Sequence, residues 1–237
     1  MDVLAVGGHP DDVELCCGGT VALLALTREV GILDLTEGES STRGSVEERR
    51  AETRRAAEIL GVAVRRNAFL PDTGVDSVSR DQIRTVVDIL RELRPRLILA
   101  PHWDSVHPDH CETSRLIQRA FVLARIAGFR SDHRPHRAEN VFFYDARSGM
   151  VPGFVVDITR VFEQKMEAVR AHASQFEPSP DSTRDSLTPI SDPTFLEGIE
   201  AAARYWGFRT GVRYAEPFMA RDPFVVGDPS AAFFPGG

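Results

Sequence analysis

Two short clusters carry the side chains best suited to chemistry. His9-Pro10-Asp11-Asp12 sets one imidazole beside two carboxylates, and His107-Pro108-Asp109-His110 sets two imidazoles around another. His9 and Asp12 are three apart in a turn, a short chelate that one cation spans. With His110 as a third ligand, two histidines and one carboxylate leave a position open for water, which is a catalytic zinc arrangement. Asp11 then has a separate use. A carboxylate beside a ligand, but not itself bound, can take a proton from metal-activated water. His107 could face a scissile carbonyl as a cation and steady its oxyanion. Asp109 could hold an imidazole in the needed tautomer. Plain structural uses compete: Asp11 or Asp12 as a helix cap, His9 as a packed turn residue, Asp109 as an N-cap. Finding both clusters in one chain favours the metal.

The elements around them explain how they would meet. The apolar run at residues 2–7 reads as a buried strand that ends at His9, and residues 96–100 read as another that leads to the His107 loop. Further strands are expected at 30–35, 63–70, 141–144, 154–158 and 212–218. Helices are expected at 13–28, 45–60, 80–94, 109–127, 162–172 and 194–206. Strands alternating with helices predict an α/β, Rossmann-like, mostly parallel sheet with helices on both faces. In such folds ligands bind beyond the carboxyl ends of the strands, where both histidine clusters would lie. Ser45 with Glu48 predicts a capping box, and Gly61 the stop of that helix. Arg49 falls on the inward stripe of its first turn, against the helix dipole, so it needs an anionic or polar partner.

Composition narrows the classes. The chain has 237 residues, 42% hydrophobic and 27% charged, enough to bury a core. It reads as one domain over 1–237, with a mobile loop or lid at 178–193 and a tail at 222–237. A net charge of −7 argues against nucleic acid and against anionic lipid as partners. No apolar run approaches the ~20 residues of a membrane span, and no signal segment opens the chain. Three cysteines, Cys16, Cys17 and Cys111, give no disulfide framework, so a cytoplasmic location is expected. All three read as packing residues. His102, His133, His136 and His172 read as solvent or loop histidines. No dinucleotide or phosphate-loop fingerprint appears.

Gly8-His9-Pro10-Asp11-Asp12 together with His107-Pro108-Asp109-His110 resembles the LmbE/PIG-L-like zinc-dependent N-deacetylases. Asp34-Leu35-Thr36 with Gly38-Glu39, the 49–61 helix, Leu70-Pro71-Asp72, Val155 to Ile158, Ser174-Gln175-Phe176 and Tyr214-Ala215-Glu216 look like the bacillithiol-forming branch. The resemblance implies zinc on His9, Asp12 and His110, with Fe2+ tolerated by similar ligands. It implies Asp11 as general base, His107 beside the intermediate and Arg49 as a substrate contact. Some relatives carry a tyrosine two residues before the oxyanion histidine; here that place is Ser105. The expected reaction is hydrolysis of the N-acetyl group of an N-acetylglucosaminyl conjugate, foremost N-acetylglucosaminyl-malate, releasing acetate. Another glycoconjugate (a mycothiol precursor, a bacillithiol S-conjugate or a chito-oligosaccharide) is the enzymatic alternative, and a non-catalytic metal- or sugar-binding protein the other. The resemblance also implies a homo-oligomer, often a hexamer.

Overall fold

A computed structural model describes residues 1–145, 150–176, 190, 192 and 194–225. Seven strands form one sheet in the order β3-β2-β1-β4-β5-β7-β6: β1 (Val3–Gly7), β2 (Val30–Asp34), β3 (Val64–Asn67), β4 (Leu97–Pro101), β5 (Asn140–Tyr144), β6 (Phe154–Asp157) and β7 (Ala215–Ala220). The run β3-β2-β1-β4-β5 is parallel throughout, and β7 lies antiparallel between β5 and β6. The expected mostly parallel sheet is therefore present.

The central strands are short, apolar and buried along their whole length, as strands covered on both faces must be. Alternation divides β1 between two cores. Val3 and Ala5 pack with α1 (Asp12–Ala25), α2 (Val46–Leu60), α5 (Phe162–Arg170) and α7 (Phe195–Thr210). Leu4 and Val6 pack with α3 (Arg80–Leu93) and α4 (Pro108–Leu123) on the other face. A short α6 (Ala173–Phe176) follows α5.

Strand order reverses beside β1: β2 and β3 lie to one side, β4 and β5 to the other. The crevice between the carboxyl ends of β1 and β4 is thus a topological switch point, the usual ligand site of an open α/β sheet. The two histidine clusters leave these two strand ends.

Helix boundaries follow local chemistry. The Ser45 capping box is formed, and Gly61 takes the left-handed conformation at the end of α2. Helix α1 starts at Asp12, and a non-helical Cys17 (φ −140°) kinks it. Arg94, at φ 53°, closes α3 before Pro95. The expected loop at 178–193 lies outside the described residues except Ile190 and Asp192, and the expected tail is described only to Val225. Among the described residues no helix is long and apolar enough to cross a membrane.

Candidate active site

The turn after β1 brings three charged groups together at the head of α1. Asp11 is buried at φ 153°, a rare backbone conformation for any residue with a side chain, and makes no capping bond. Its carboxylate is therefore not spent on the helix. Asp12 accepts the His9 backbone N–H at 2.9 Å and lies 3.5 Å from His9 Nδ1. Its other oxygen stands 3.0 Å from His110 Nε2. Asp12 thus bridges the two histidines, one from each strand end.

Carboxylates also surround the far side of His9. Its Nε2 lies 3.1 Å from Asp72 and 3.2 Å from Asp109. Asp109 accepts the Thr73 backbone N–H at 2.8 Å, so it is held in place by the 70–74 turn. It is not the N-cap of α4. That position is His107, whose Nδ1 accepts the Asp109 N–H at 3.2 Å, with Pro108 in the first turn.

Electrostatics follow from these contacts. Burial pushes Asp11 up, and the facing Arg49 only partly opposes it. Burial pushes Asp12 the same way, but His110 and His9 outweigh it and hold the carboxyl well below its usual range. Burial would depress both imidazoles; Asp109, Asp12 and Asp72 instead raise His9, and Asp12 raises His110. His107 differs. Burial and the two neighbouring imidazoles lower it, and its Nδ1 is already an acceptor. These neighbours oppose the cationic form expected of His107, and with Nδ1 accepting the Asp109 N–H, Nε2 is the ring atom left to face the cleft.

Arg49 has the partners its position demanded. It donates to Gly38 O at 3.0 Å and Pro10 O at 3.1 Å, and it lies 3.7 Å from Asp11 Oδ2. Gly38 sits at φ +65°, and a Cβ there would collide with Arg49 Nη1. His9, Asp11, Asp12, Arg49, Asp72, His107 and His110 line one cleft of about 420 Å3, with Ser40 to Arg43 and Gln175 on its wall.

The donor set suits a divalent cation. His9, His107 and His110 offer ring nitrogens within 4.8 Å of one another, and His9, Asp72 and Asp109 form a second such group. Asp12 touches both His9 and His110. The carboxylates that raise the two imidazoles would equally balance the charge of a bound cation. Imidazole and carboxylate are the usual ligands of catalytic zinc.

Residues 4–121 match the family profile described as PIG-L, GlcNAc-PI de-N-acetylase. The chain is 33% identical over 230 residues to diacetylchitobiose deacetylase of Thermococcus kodakarensis, a match covering 90% of this chain and 80% of that one. The chain belongs to the PIG-L family. Another relative is a probable N-acetyl-alpha-D-glucosaminyl L-malate deacetylase 2 of Bacillus anthracis, 30% identical over 191 residues, covering 73% of this chain and 81% of that one. Among solved structures, the conserved protein TT1542 from Thermus thermophilus superposes with a TM-score of 0.86 at 39% identity, covering 95% of this chain and 97% of that one.

Several groups that complete this PIG-L cleft are not singled out by spacing. Asp72 stands in a turn after β3 and reaches His9 only through the fold. Gln175 accepts from Ser41 Oγ at 3.2 Å and donates to Arg43 O at 3.1 Å, which pins the 40–43 wall. Ser105 Oγ lies 3.2 Å from His110 Nδ1. His172 lies in the connection between α5 and α6, as a loop histidine would, yet it is fully buried, 3.3 Å from Glu14. His102 is likewise buried, at the end of β4, while His133 is exposed and His136 half-buried on Pro95 O. The cysteines are free: Cys17 is buried, Cys16 half-buried, and Cys111 shares contacts with Ser105.

Proposed function

We propose that this protein hydrolyses the N-acetyl group of an N-acetylglucosaminyl conjugate and releases acetate. The observation that carries the reading is Asp11: a buried, uncapped carboxylate beside two imidazoles bridged by Asp12, at the switch point of the sheet. Family membership and two relatives named as deacetylases of N-acetylglucosamine compounds support it.

His9, Asp12 and His110 would hold the metal, with Zn2+ favoured by the two-histidine, one-carboxylate set and Fe2+ tolerated. When bound, such a cation supplies Lewis acidity and makes water acidic enough to lose a proton near neutral pH. Asp11 takes that proton on its carboxylate as water attacks the acetyl carbon. Its raised pKa suits a group that must accept a proton and then return it to the departing amine. His107 donates its Nε2–H to the carbonyl oxygen as charge develops there. Asp109, with Asp72 beside it, holds His9 by Nε2 and leaves Nδ1 for the metal. Arg49 holds Asp11 in place and offers a contact to substrate from the cleft wall.

The favoured substrate is N-acetylglucosaminyl-malate. Arg43 and Arg49 line the cleft, and malate carries carboxylates that cationic walls bind well. The second reading is a chito-oligosaccharide, favoured by the identity with the Thermococcus relative. Acetate release from N-acetylglucosaminyl-malate and from diacetylchitobiose by metal-loaded protein tests both. The higher kcat/KM assigns the substrate. No acetate from either would remove the deacetylase reading and leave a binding protein on this fold.

A further inference from the structure

Five arginines meet at a second cavity, of about 390 Å3, that shares only Arg49 with the cleft. It opens by the carboxyl ends of β2 and β3, against the first turns of α2. Three of its arginines are matched. Arg50 donates to Glu37 at 2.6 Å, and Arg66 pairs with Glu92 at 3.1 and 3.2 Å. Arg65 grips Asp34 at 2.8 and 3.0 Å and also reaches Glu14.

Arg54 lacks such a match, and Arg49, paired through its Nη atoms, leaves one donor unused. Arg54 has no ion pair among the described residues, although it stands one helical turn from the like-charged Arg50, a repulsive spacing. Arg49 is only 4% exposed, yet its Nε is buried with no acceptor. Thr53 Oγ1, on the same cavity wall, is also buried and unpartnered. Buried donors without acceptors are uncommon in folded proteins and call for an explanation.

Phe69 supplies an independent observation. It lines the same cavity, is 68% exposed and sits at φ 53°. A bulky residue rarely adopts that conformation. Asn67 Oδ1 accepts its N–H at 2.6 Å, and Leu70 N–H bonds Leu35 O at 2.9 Å, which fixes the strained corner. The ring is thereby held out in water at the rim of a basic pocket. Strain of this kind collects where ligands are clamped.

We propose that this cavity binds a small ligand that joins an oxyanion, phosphate or carboxylate, to a flat ring. The oxyanion meets Arg54, on the wall that Arg49 and Thr53 complete, and the ring lies on Phe69. Asp34 and Glu37 do not oppose it, since each is already neutralised by an arginine.

Titration calorimetry on the metal-loaded chain tests this with phenyl phosphate, benzoate and inorganic phosphate as probes. Phenyl phosphate should bind about fivefold more tightly than inorganic phosphate, the gain of a ring contact. Arg54→Gln should weaken phenyl phosphate and phosphate alike by about tenfold, the loss of a charge-assisted bond. Phe69→Ala should remove the preference for phenyl phosphate and leave inorganic phosphate unchanged. Both side chains are exposed and outside the cleft, so acetate release without probe should match the wild type. No binding of any probe in the millimolar range, or binding that Arg54→Gln leaves unchanged, would overturn the site. A ring preference that survives Phe69→Ala would overturn the proposed ligand class.

Discussion

The Ser105 hydroxyl lies 3.2 Å from Nδ1 of His110, on the side of the ring away from the Nε2 that faces Asp12 at 3.0 Å. A hydrogen bond there fixes the tautomer and aims Nε2 into the cleft. Partners of this kind typically tune metal affinity by one or two orders of magnitude. Ser105→Ala should therefore weaken metal retention about tenfold while leaving the fold intact. Competition with a graded series of chelators measures it. Unchanged retention would mean that the backbone alone aims His110.

Asp11 is the sharper test of chemistry. It is buried, makes no capping bond and holds a rare backbone angle. Asp11→Asn keeps shape and volume but cannot accept a proton. It should retain metal and lose about 10²- to 10⁴-fold in kcat. Metal content and acetate release on the same sample decide the matter. Turnover near the wild-type rate would pass the proton to another group.

Much of this arrangement is legible in the sequence, and the remainder has a common physical cause. Apolar runs mark β1 and β4, local hydrogen bonding marks the Ser45 capping box, and the dipole argument demands a buried partner for Arg49. These depend on neighbours a few residues away. The insertion of β7 between β5 and β6 depends on pairing across the whole chain, which periodicity does not encode. Arg65 makes β3 look doubtful, because an arginine on a strand reads as exposed; its partners Asp34 and Glu14 come from other elements. The start of helix α1 is not fixed by the sequence for the same reason. Its first turn contains Asp12 and Glu14, charged residues that are nonetheless buried.

Arg49 and Gly38 form one unit. The guanidinium bonds Gly38 O and Pro10 O, and only a residue without Cβ fits at Gly38. Arg49→Ala leaves two carbonyls and the buried Asp11 without their partner, a cost of about 3 kcal/mol. It should lower kcat/KM for the folded protein and retain metal. Gly38→Ala should act in the same direction by displacing the guanidinium. The double variant should lose less than the sum of the two, since both remove the same contacts. Urea unfolding with acetate release measures the cycle. Strict additivity would separate the residues, and unchanged kcat/KM in Arg49→Ala would make Arg49 purely structural.

His172 ties stability to pH. Its ring is fully buried with Nε2 3.3 Å from Glu14, within a group that includes Arg65 and Asp34. Burial alone would lower its pKa; Glu14, with Asp11 adding to it, outweighs burial and raises the ring above the usual 6.5. A raised histidine binds its proton more tightly in the folded chain than in the unfolded one. Its stabilisation is complete below 6.5 and fades as pH rises through the higher folded value. His172→Gln keeps a polar side chain but cannot carry the charge. The stability gap between wild type and variant should be widest in mildly acidic buffer and should narrow as pH rises into the alkaline range. Urea midpoints across that range measure it. A gap that holds constant or widens with pH would mean that the ring is neutral in the folded protein.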